Sequence, residues 1–225
     1  MEITNPKYQK QGIHLIASIF TIDKGSVKVL LIKRKNEPFK DYWALVGGAL
    51  YNDEELFDGL NREIYLKTGI KNIELRLCTV IDEIKTTPNF RMVAISYIGL
   101  IDHTKVDILK QTIKTTDSDW FTLDQIPTLA YEHNKIITES IKYLKNNLLK
   151  TNILKVFYPD GFTIPELQKI AESILKKELD RRNFRKKILS FDFIYDTNKY
   201  RKFDGRKPAK IYKFKENYGE EKNVF

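Results

Sequence analysis

The chain of 225 residues has little of the chemistry that marks secreted proteins or metalloproteins: one cysteine, Cys78, and three histidines. A single cysteine excludes an internal disulfide, which is typical of proteins of a reducing, intracellular compartment. His14, His103 and His133 are scattered along the sequence without the spacing of a metal site. We therefore interpret the histidines as structural residues, and the sequence predicts neither a metal nor a cofactor.

Long apolar runs are also missing. The longest, such as Leu15–Phe20 and Ile98–Ile101, are far shorter than the about 20 residues that a transmembrane helix requires. Glu2, Asn5 and Lys7 stand where a signal peptide would have an apolar stretch. Hydrophobic residues nevertheless make up 42% of the chain, which excludes a disordered protein. These features predict a cytoplasmic protein of one large or two small domains, without a membrane partner.

The positive charge is distributed unevenly. The formal net charge is +9, of which residues 1–150 carry +2 and residues 151–225 carry +7. Such asymmetry suggests a nucleic acid, a membrane surface or an acidic partner for the last third of the chain. The alternative is a lysine-rich surface that only serves solubility.

The first part of the chain alternates strand and helix patterns. Apolar residues recur every four positions in Asp53–Lys67, which predicts a helix, and Gly69 follows as its C-cap. A second helix is predicted near Asn134–Leu149, where we place the end of the first domain. Strands or strand-like apolar segments are predicted at Ile13–Phe20, Val27–Ile32, Ala44–Leu50, Ile73–Ile81 and Met92–Leu100.

The second part predicts two capped helices followed by a hairpin. Thr163 and Glu166 have the spacing of a capping box, and Asp180 is a good N-cap for a helix from Arg181 to about Ser190. Two strand-like segments and the basic loop between them follow, at Phe191–Tyr195, Lys210–Phe214 and Asn198–Pro208. This order is the layout of a winged helix-turn-helix.

The second of these helices is strongly basic on one side. Phe184 and Ile188 are spaced to hold the other side against a core, as in a recognition helix whose cations contact phosphate. Asn183 has a side chain able to pair with adenine. The residues that we predict to contact DNA are Arg181, Arg182, Asn183, Arg185 and Lys186 on the helix, with Arg201, Lys202, Arg206 and Lys207 on the wing. The alternative is a solvated charged face of an ordinary helical subdomain.

A long motif in the first part resembles the Nudix box of hydrolases that cleave nucleoside diphosphates linked to another group. The box is usually written G-x5-E-x7-R-E-U-x-E-E-x-G-U, where U is apolar. It is present here as Gly48, Glu54, Arg62, Glu63, Ile64, Gly69 and Ile70. The resemblance implies a Nudix-type fold and assigns a structural role to Gly48, Glu54, Arg62 and Gly69, with Glu54 and Arg62 as a pair.

This chain departs from the box at two positions that bind metal in the family. Leu66 and Lys67 replace adjacent glutamates, so only Glu63 remains of three carboxylates on one helix face. Mg²⁺ prefers several oxygen ligands, and hydrolysis needs the metal to stabilise the transferring phosphate. We therefore expect that hydrolase activity is lost and that the chain has no catalytic residues.

A degenerate Nudix domain followed by a basic winged helix resembles the Nudix-related transcriptional regulators of the NrtR type. The resemblance spans nearly the whole chain. It implies an α+β protein in which a Nudix-type mixed-sheet α/β/α sandwich, residues 1–149, senses a small molecule, and a winged helix-turn-helix, residues 150–225, binds DNA. It also implies a homodimeric repressor on a roughly palindromic double-stranded DNA operator.

The effector expected from the resemblance is ADP-ribose, a related nucleotide or a sugar. Trp43 is suited to stack on a base or sugar, and three cations are suited to hold phosphate. With Glu63 of the old metal site, the predicted effector-binding residues are Arg34, Lys40, Trp43, Glu63 and Arg91. Core packing for Trp43 and plain surface positions for the cations are the alternatives.

Two other functions remain open from the sequence. One is an active Nudix pyrophosphohydrolase with an atypical metal site, whose basic tail serves nucleotide or RNA substrates. The other is a ligand-binding module whose tail binds a protein partner.

Overall fold

A computed structural model describes residues 11–83, 91–148, 151–202 and 207–215. Its first half is built on a seven-stranded mixed sheet and two helices. The elements are β1 (Gln11–Asp23), β2 (Ser26–Arg34), β3 (Trp43–Ala44), β4 (Val46–Ala49), α1 (Leu56–Thr68), β5 (Leu75–Glu83), β6 (Arg91–Leu100), β7 (Thr115–Thr122) and α2 (His133–Asn147). Single 3₁₀ turns lie at His103–Lys105 and Lys155–Phe157.

The sheet has the order β3-β2-β1-β6-β5, with β4 paired to β1 and β7 paired to β2. Among the described strand pairs of this sheet, β1 and β6 run parallel and the others run antiparallel. Alternate residues of β1, including Leu15 and Ala17, share a buried cluster with Leu60 and Ile64 of α1. On the other face of β1, the hydroxyl of Ser18 bonds that of Ser140 on α2 at 2.8 Å. The mixed sheet with a helix on each face is the predicted α/β/α sandwich.

Helix α1 begins three residues later than the apolar period predicts. Glu55 is its N-cap in an extended conformation, and the side chain of Glu54 before it accepts the backbone N–H of Tyr51 at 3.0 Å. The helix ends at Gly69, whose φ of 77° lies in the left-handed region that favours glycine. The C-cap predicted from the sequence is therefore present.

The second half contains β8 (Phe162–Thr163), α3 (Ile164–Leu175), α4 (Arg181–Leu189), β9 (Ile194–Arg201) and β10 (Ala209–Phe214). The three strands form a sheet in the order β8-β10-β9. The predicted capping box exists: Glu166 accepts the backbone N–H of Thr163 at 2.6 Å, and the Thr163 hydroxyl accepts that of Glu166. Asp180 caps α4 by accepting the N–H of Asn183 at 2.8 Å. Helix, helix and antiparallel hairpin make this a winged helix.

The wing differs from its predicted bounds. The first strand is Ile194–Arg201, whereas the sequence pattern predicted Phe191–Tyr195 with Asn198–Pro208 as a loop. Polar residues extend this strand because they bond across the hairpin. Asp196 accepts a hydrogen bond from Lys210 at 2.6 Å, and the Thr197 hydroxyl donates to the carbonyl of Ile211 at 2.8 Å.

The described chain separates into two compact units. The first comprises the described residues up to Phe20 together with Lys28–Ser140, and the second comprises Thr21–Val27 and the described residues from Ile141 onward. Residues 149 and 150, between which the sequence placed the domain boundary, lie outside the described residues. None of the described helices is long and apolar enough to cross a membrane.

Candidate functional sites

The loop that leads into α1 is held by one ion pair. Arg62 Nη2 donates to Glu54 Oε2 at 2.9 Å and to the carbonyl of Ala49 at 3.0 Å, while Arg62 Nε donates to Glu54 Oε1. The guanidinium carbon lies 3.8 Å from the centre of the Tyr51 ring. Arg62 lowers the pKa of Glu54 through this hydrogen bond. The structure thus brings together the two residues that the motif assigns to a structural pair.

Glu63 is the only motif carboxylate that points into the protein, with a side chain 3% exposed. Three cations surround it: Lys67 Nζ lies 3.0 Å from Oε2, Lys114 Nζ lies 3.1 Å from Oε1, and Arg62 Nη1 also donates to Oε1. Burial acts to raise the pKa of Glu63, but the charge of Lys67 and the bonds from Lys67 and Lys114 outweigh it and lower the pKa. Glu63 is therefore a buried anion whose counter-ions come from the protein.

Lys67 stands where the motif has a metal-binding glutamate. Its side chain is only 11% exposed, and its ammonium donates to the backbone carbonyl of Gly47 as well as facing Glu63. Burial lowers the pKa of Lys67, against the opposing effect of the Glu63 charge. Gly48 makes the close packing possible, because a Cβ at this position would lie 2.3 Å from Cδ of Glu63.

These residues do not fit a divalent cation. Mg²⁺ is bound by several oxygen ligands in near-octahedral geometry, and Glu63 supplies the single carboxylate of this helix face. Leu66 offers no ligand, and the ammonium of Lys67 already lies against Glu63 Oε2 and the carbonyl oxygen of Gly47. Nowhere in residues 11–83, 91–148, 151–202 and 207–215 do three His, Cys, Asp or Glu side chains form a metal-binding group.

An aromatic cluster, which the sequence did not indicate, surrounds Tyr131. The Phe39 ring lies 4.7 Å from it, the His133 ring 5.6 Å and the His14 ring 6.3 Å, and the Arg34 guanidinium carbon lies 4.9 Å from its centre. These residues are far apart in the sequence and meet only through the fold. Their contacts place the Arg34 cation over the Tyr131 ring, which itself packs against three other rings.

His133 is the buried centre of this region. Its Nδ1 accepts the backbone N–H of Leu45 at 3.0 Å, while its buried Nε2 has no hydrogen-bond partner among the described residues. Burial, and then the charges of His14, Arg34 and Lys67, lower its pKa well below the usual value. His133 is therefore neutral at physiological pH, with its proton on Nε2, because Nδ1 is occupied as an acceptor.

The predicted effector-binding residues contact different neighbours. Arg34 belongs to the Tyr131 cluster and also donates to the carbonyl of Pro38 at 3.0 Å. Trp43 is half-buried with its ring 4.8 Å from that of Phe121, and Lys40 is exposed between β2 and β3. Arg91 pairs with Asp82 at 2.7 Å. The structure thus joins Arg34 to the half-buried ring of Tyr131, while Trp43 contacts Phe121 and Arg91 pairs with Asp82.

Helix α4 presents the opposite arrangement of charge. Phe184 and Ile188 are buried, and the polar residues between them face outward. The exposed members are Arg181, Arg182, Asn183, Arg185, Lys186 and Lys187. The helix is anchored from behind and offers a continuous cationic surface.

The wing contributes fewer free cations than its sequence suggested. Arg201 donates to Glu166 at 2.7 Å and to the carbonyl of Gly161 at 2.9 Å, so it ties the hairpin to the start of α3. Lys202 and Lys207 are exposed. Arg206 lies outside the described residues.

Two protein-family models match this chain, one in each half. Residues 12–141 match the NUDIX domain model, and residues 157–214 match that of the NrtR DNA-binding winged helix domain. The chain is 32% identical over 201 residues to the ADPR responsive transcriptional repressor of Acinetobacter baylyi, covering 88% of this chain and 79% of that protein.

Two solved structures from Shewanella oneidensis are similar to this chain, each at 26% identity. One is NrtR complexed with a 27mer DNA, with a TM-score of 0.71 over 90% of this chain and 93% of that chain. The other is the NUDIX domain of NrtR complexed with ADP ribose, with a TM-score of 0.56 over 63% of this chain and 94% of that chain.

Proposed function

The chain belongs to the NrtR family of Nudix-related transcriptional regulators, and we therefore propose that it is a DNA-binding repressor whose Nudix domain senses ADP-ribose. The observation that carries this proposal is the exposed cationic surface of α4, on a helix that Asp180 caps and that Phe184 and Ile188 anchor. The repressor of Acinetobacter baylyi is described as ADPR responsive. A DNA partner supports a cytoplasmic location.

We propose that α4 enters the major groove of a palindromic operator and that the wing contacts the flanking backbone. Arg181, at the first turn of α4, and Arg182, Asn183, Arg185 and Lys186 are exposed toward such a groove. Lys202 and Lys207 are the exposed wing cations, with Arg206 assigned from the sequence. A homodimer would supply the two recognition helices that a palindrome requires.

The family matches to residues 12–141 and 157–214 support a division into a sensor of residues 1–149 and a DNA reader of residues 150–225. In the sensor, Arg34, Lys40, Trp43, Glu63 and Arg91 are the proposed effector residues. Arg34 has the strongest support, because it lies over the Tyr131 ring in a cluster of aromatic side chains. A nucleotide has both an anionic group and ring faces for such a cluster.

The test is a binding titration of the full chain with labelled DNA from upstream of its own operon. Arg182→Ala and Arg185→Ala should each weaken binding by about 1–3 kcal/mol if they contact bases, or by a smaller, sequence-independent amount if they contact phosphate. Lys145→Ala, at an exposed position of α2, is the matched control. Unchanged binding by both arginine variants would refute the recognition-helix assignment.

Adding ADP-ribose to the same titration tests the sensor. ADP-ribose should change the affinity for DNA, and DNA should change the affinity for ADP-ribose by the same factor. A panel of NAD, phosphorylated sugars and free pentoses serves as the comparison. If a pentose acts and ADP-ribose does not, the effector assignment is wrong while the DNA-binding proposal stands.

We further propose that the Nudix domain no longer hydrolyses its ligand. The support is Leu66 and Lys67 in place of metal ligands, with the Lys67 ammonium against Glu63 and the Gly47 carbonyl. Incubation with ADP-ribose and Mg²⁺ or Mn²⁺, followed by analysis of AMP release, tests this. Turnover at ordinary enzyme rates would favour an atypical Nudix hydrolase instead.

A further inference from the structure

The degenerate Nudix box has a lysine, Lys67, where the family has a metal-binding glutamate, and this lysine supplies a positive charge. The ammonium of Lys67 lies 3.0 Å from Glu63 Oε2 and donates to the carbonyl of Gly47. A carboxylate and a backbone carbonyl are oxygen ligands of the kind that hard cations take in proteins. The lysine therefore does more than remove a ligand, because it brings its own charge to the remaining oxygens.

We propose that Lys67 is a built-in replacement for the divalent cation, so that the sensor holds the diphosphate of its ligand without metal. This inference rests on the proposed function, in which the ligand is ADP-ribose. It names the ligand group, a diphosphate, and the protein charges that compensate it.

The local charge balance supports the proposal. Arg62, Lys67 and Lys114 face the two carboxylates Glu54 and Glu63, which leaves the group cationic. The charge of Arg34 also acts on Lys67. A hydrolase of this family obtains its excess of positive charge from bound metal, whereas here side chains provide it. A diphosphate diester is a dianion at neutral pH and complements such an excess.

The position of Lys67 on α1 also explains how a lysine can reach the remaining oxygens. Its Cα lies in the last turn of α1, one turn after Glu63, so the two side chains extend along the same helix face. Both are buried, and a Cβ at residue 48 would collide with Glu63. The ammonium links α1 to β4 by contacting Glu63 and the carbonyl of Gly47. A metal ion could make such a link only while it is bound, whereas the lysine makes it permanently.

The first experiment measures ADP-ribose binding by the full chain by calorimetry, in EDTA and in Mg²⁺. We expect equal affinity in the two buffers. Lys67→Met should weaken binding in EDTA by about tenfold, the loss of one charge-assisted interaction, whereas Lys67→Arg should retain most of it. Lys71→Met, an exposed lysine just after α1, is the matched control.

The second experiment measures Mn²⁺ binding by electron paramagnetic resonance, without any nucleotide. We expect no tight Mn²⁺ site in the natural chain and a new one in the double variant Leu66→Glu/Lys67→Glu, which restores the family's three carboxylates. This variant should also bind ADP-ribose only with Mn²⁺ present. Circular dichroism of Lys67→Arg and the double variant shows whether each is folded.

The outcomes separate the inference from the proposed function. If the natural chain binds ADP-ribose only with Mg²⁺, or if Lys67→Met binds normally in EDTA, the inference is overturned while the sensor function stands. If the natural chain binds no ADP-ribose in either buffer, the proposed effector is wrong. In that case tight Mn²⁺ binding by the natural chain would still overturn the inference.

Discussion

The two cationic regions of this chain use positive charge in opposite ways. Around Glu63 the cations are paired: Lys67 is nearly buried, and Lys114 and Arg62 share the same carboxylate. On α4 the arginines and lysines are exposed, on a helix whose only buried side chains are Phe184 and Ile188. The first arrangement holds a loop and a helix together and keeps a small excess of positive charge, whereas the second presents all of its cations at the surface.

The difference shows that net charge is a poor guide to function until each charge is assigned a partner. A buried ion pair costs desolvation and is rarely a large net source of stability, but removing one partner leaves an uncompensated charge. An exposed charge contributes little to folding and retains its field for a polyanion. The two regions should therefore respond differently to salt, to mutation and to pH.

Salt should produce the largest contrast. If the α4 surface and the wing neutralise six or more phosphates, raising salt from about 50 to 200 mM should weaken DNA binding by about 10³-fold or more. The same change should alter the free energy of unfolding far less, since buried pairs are screened weakly. Fluorescence anisotropy with labelled DNA and urea unfolding measure the two quantities. A salt-insensitive DNA affinity would show that α4 does not contact the backbone.

Removal of Glu63 should produce the next largest effect. Glu63→Gln leaves the buried ammonium of Lys67 without its counter-ion, so we expect a loss of about 3 kcal/mol in the free energy of unfolding. Arg185→Ala, at an exposed position, should change it by less than about 0.5 kcal/mol. Urea unfolding of both variants gives the comparison. Equal stabilities would mean that the cluster around Glu63 is solvated like the surface of α4.

The helix caps and the Glu54–Arg62 pair could be predicted from the sequence because the residues that form them are close together in the chain. The capping box of Thr163 and Glu166 and the N-cap Asp180 lie within four residues of the groups that they bond. The fixed spacing of the Nudix box likewise predicted that Glu54 and Arg62, eight residues apart, form a pair. The helical period predicted the apolar face of α1, although the helix starts three residues later, at Leu56.

The contacts that complete the sensor site are long-range, and no local pattern encodes them. Lys114 reaches Glu63 across 51 positions of sequence, and Tyr131 meets His14 and Phe39 only because the sheet brings them together. The wing strand was misplaced for a related reason. Its residues Asp196 and Thr197 are polar and bond across the hairpin to the opposite strand, so they lack the apolar alternation that predicts a strand.

Acid should weaken the buried cluster selectively. The pKa of Glu63 is lowered in the folded protein, so its ionised form stabilises the fold above the pKa of an unfolded glutamate, about 4.3. That contribution is lost as the pH falls through the lower folded pKa. The stability difference between the natural chain and Glu63→Gln should therefore shrink between neutral and acidic pH. Unfolding curves at several pH values measure it, and a constant difference would contradict the ionised state of Glu63.

The smallest effect concerns the helix that precedes the recognition helix. Thr163→Ala removes the hydroxyl of a capping box and should cost about 1 kcal/mol, while Thr163→Ser should retain most of the stability. Thermal unfolding measures both variants. Because the carboxylate of Glu166 also accepts hydrogen bonds from Arg201 and the N–H of Thr163, the hairpin should stay attached to α3 when the hydroxyl alone is lost. DNA affinity should then change little. A loss as large as that of Arg185→Ala would mean that the cap of α3 supports the binding surface, which would make the winged helix less modular than its separate contacts indicate.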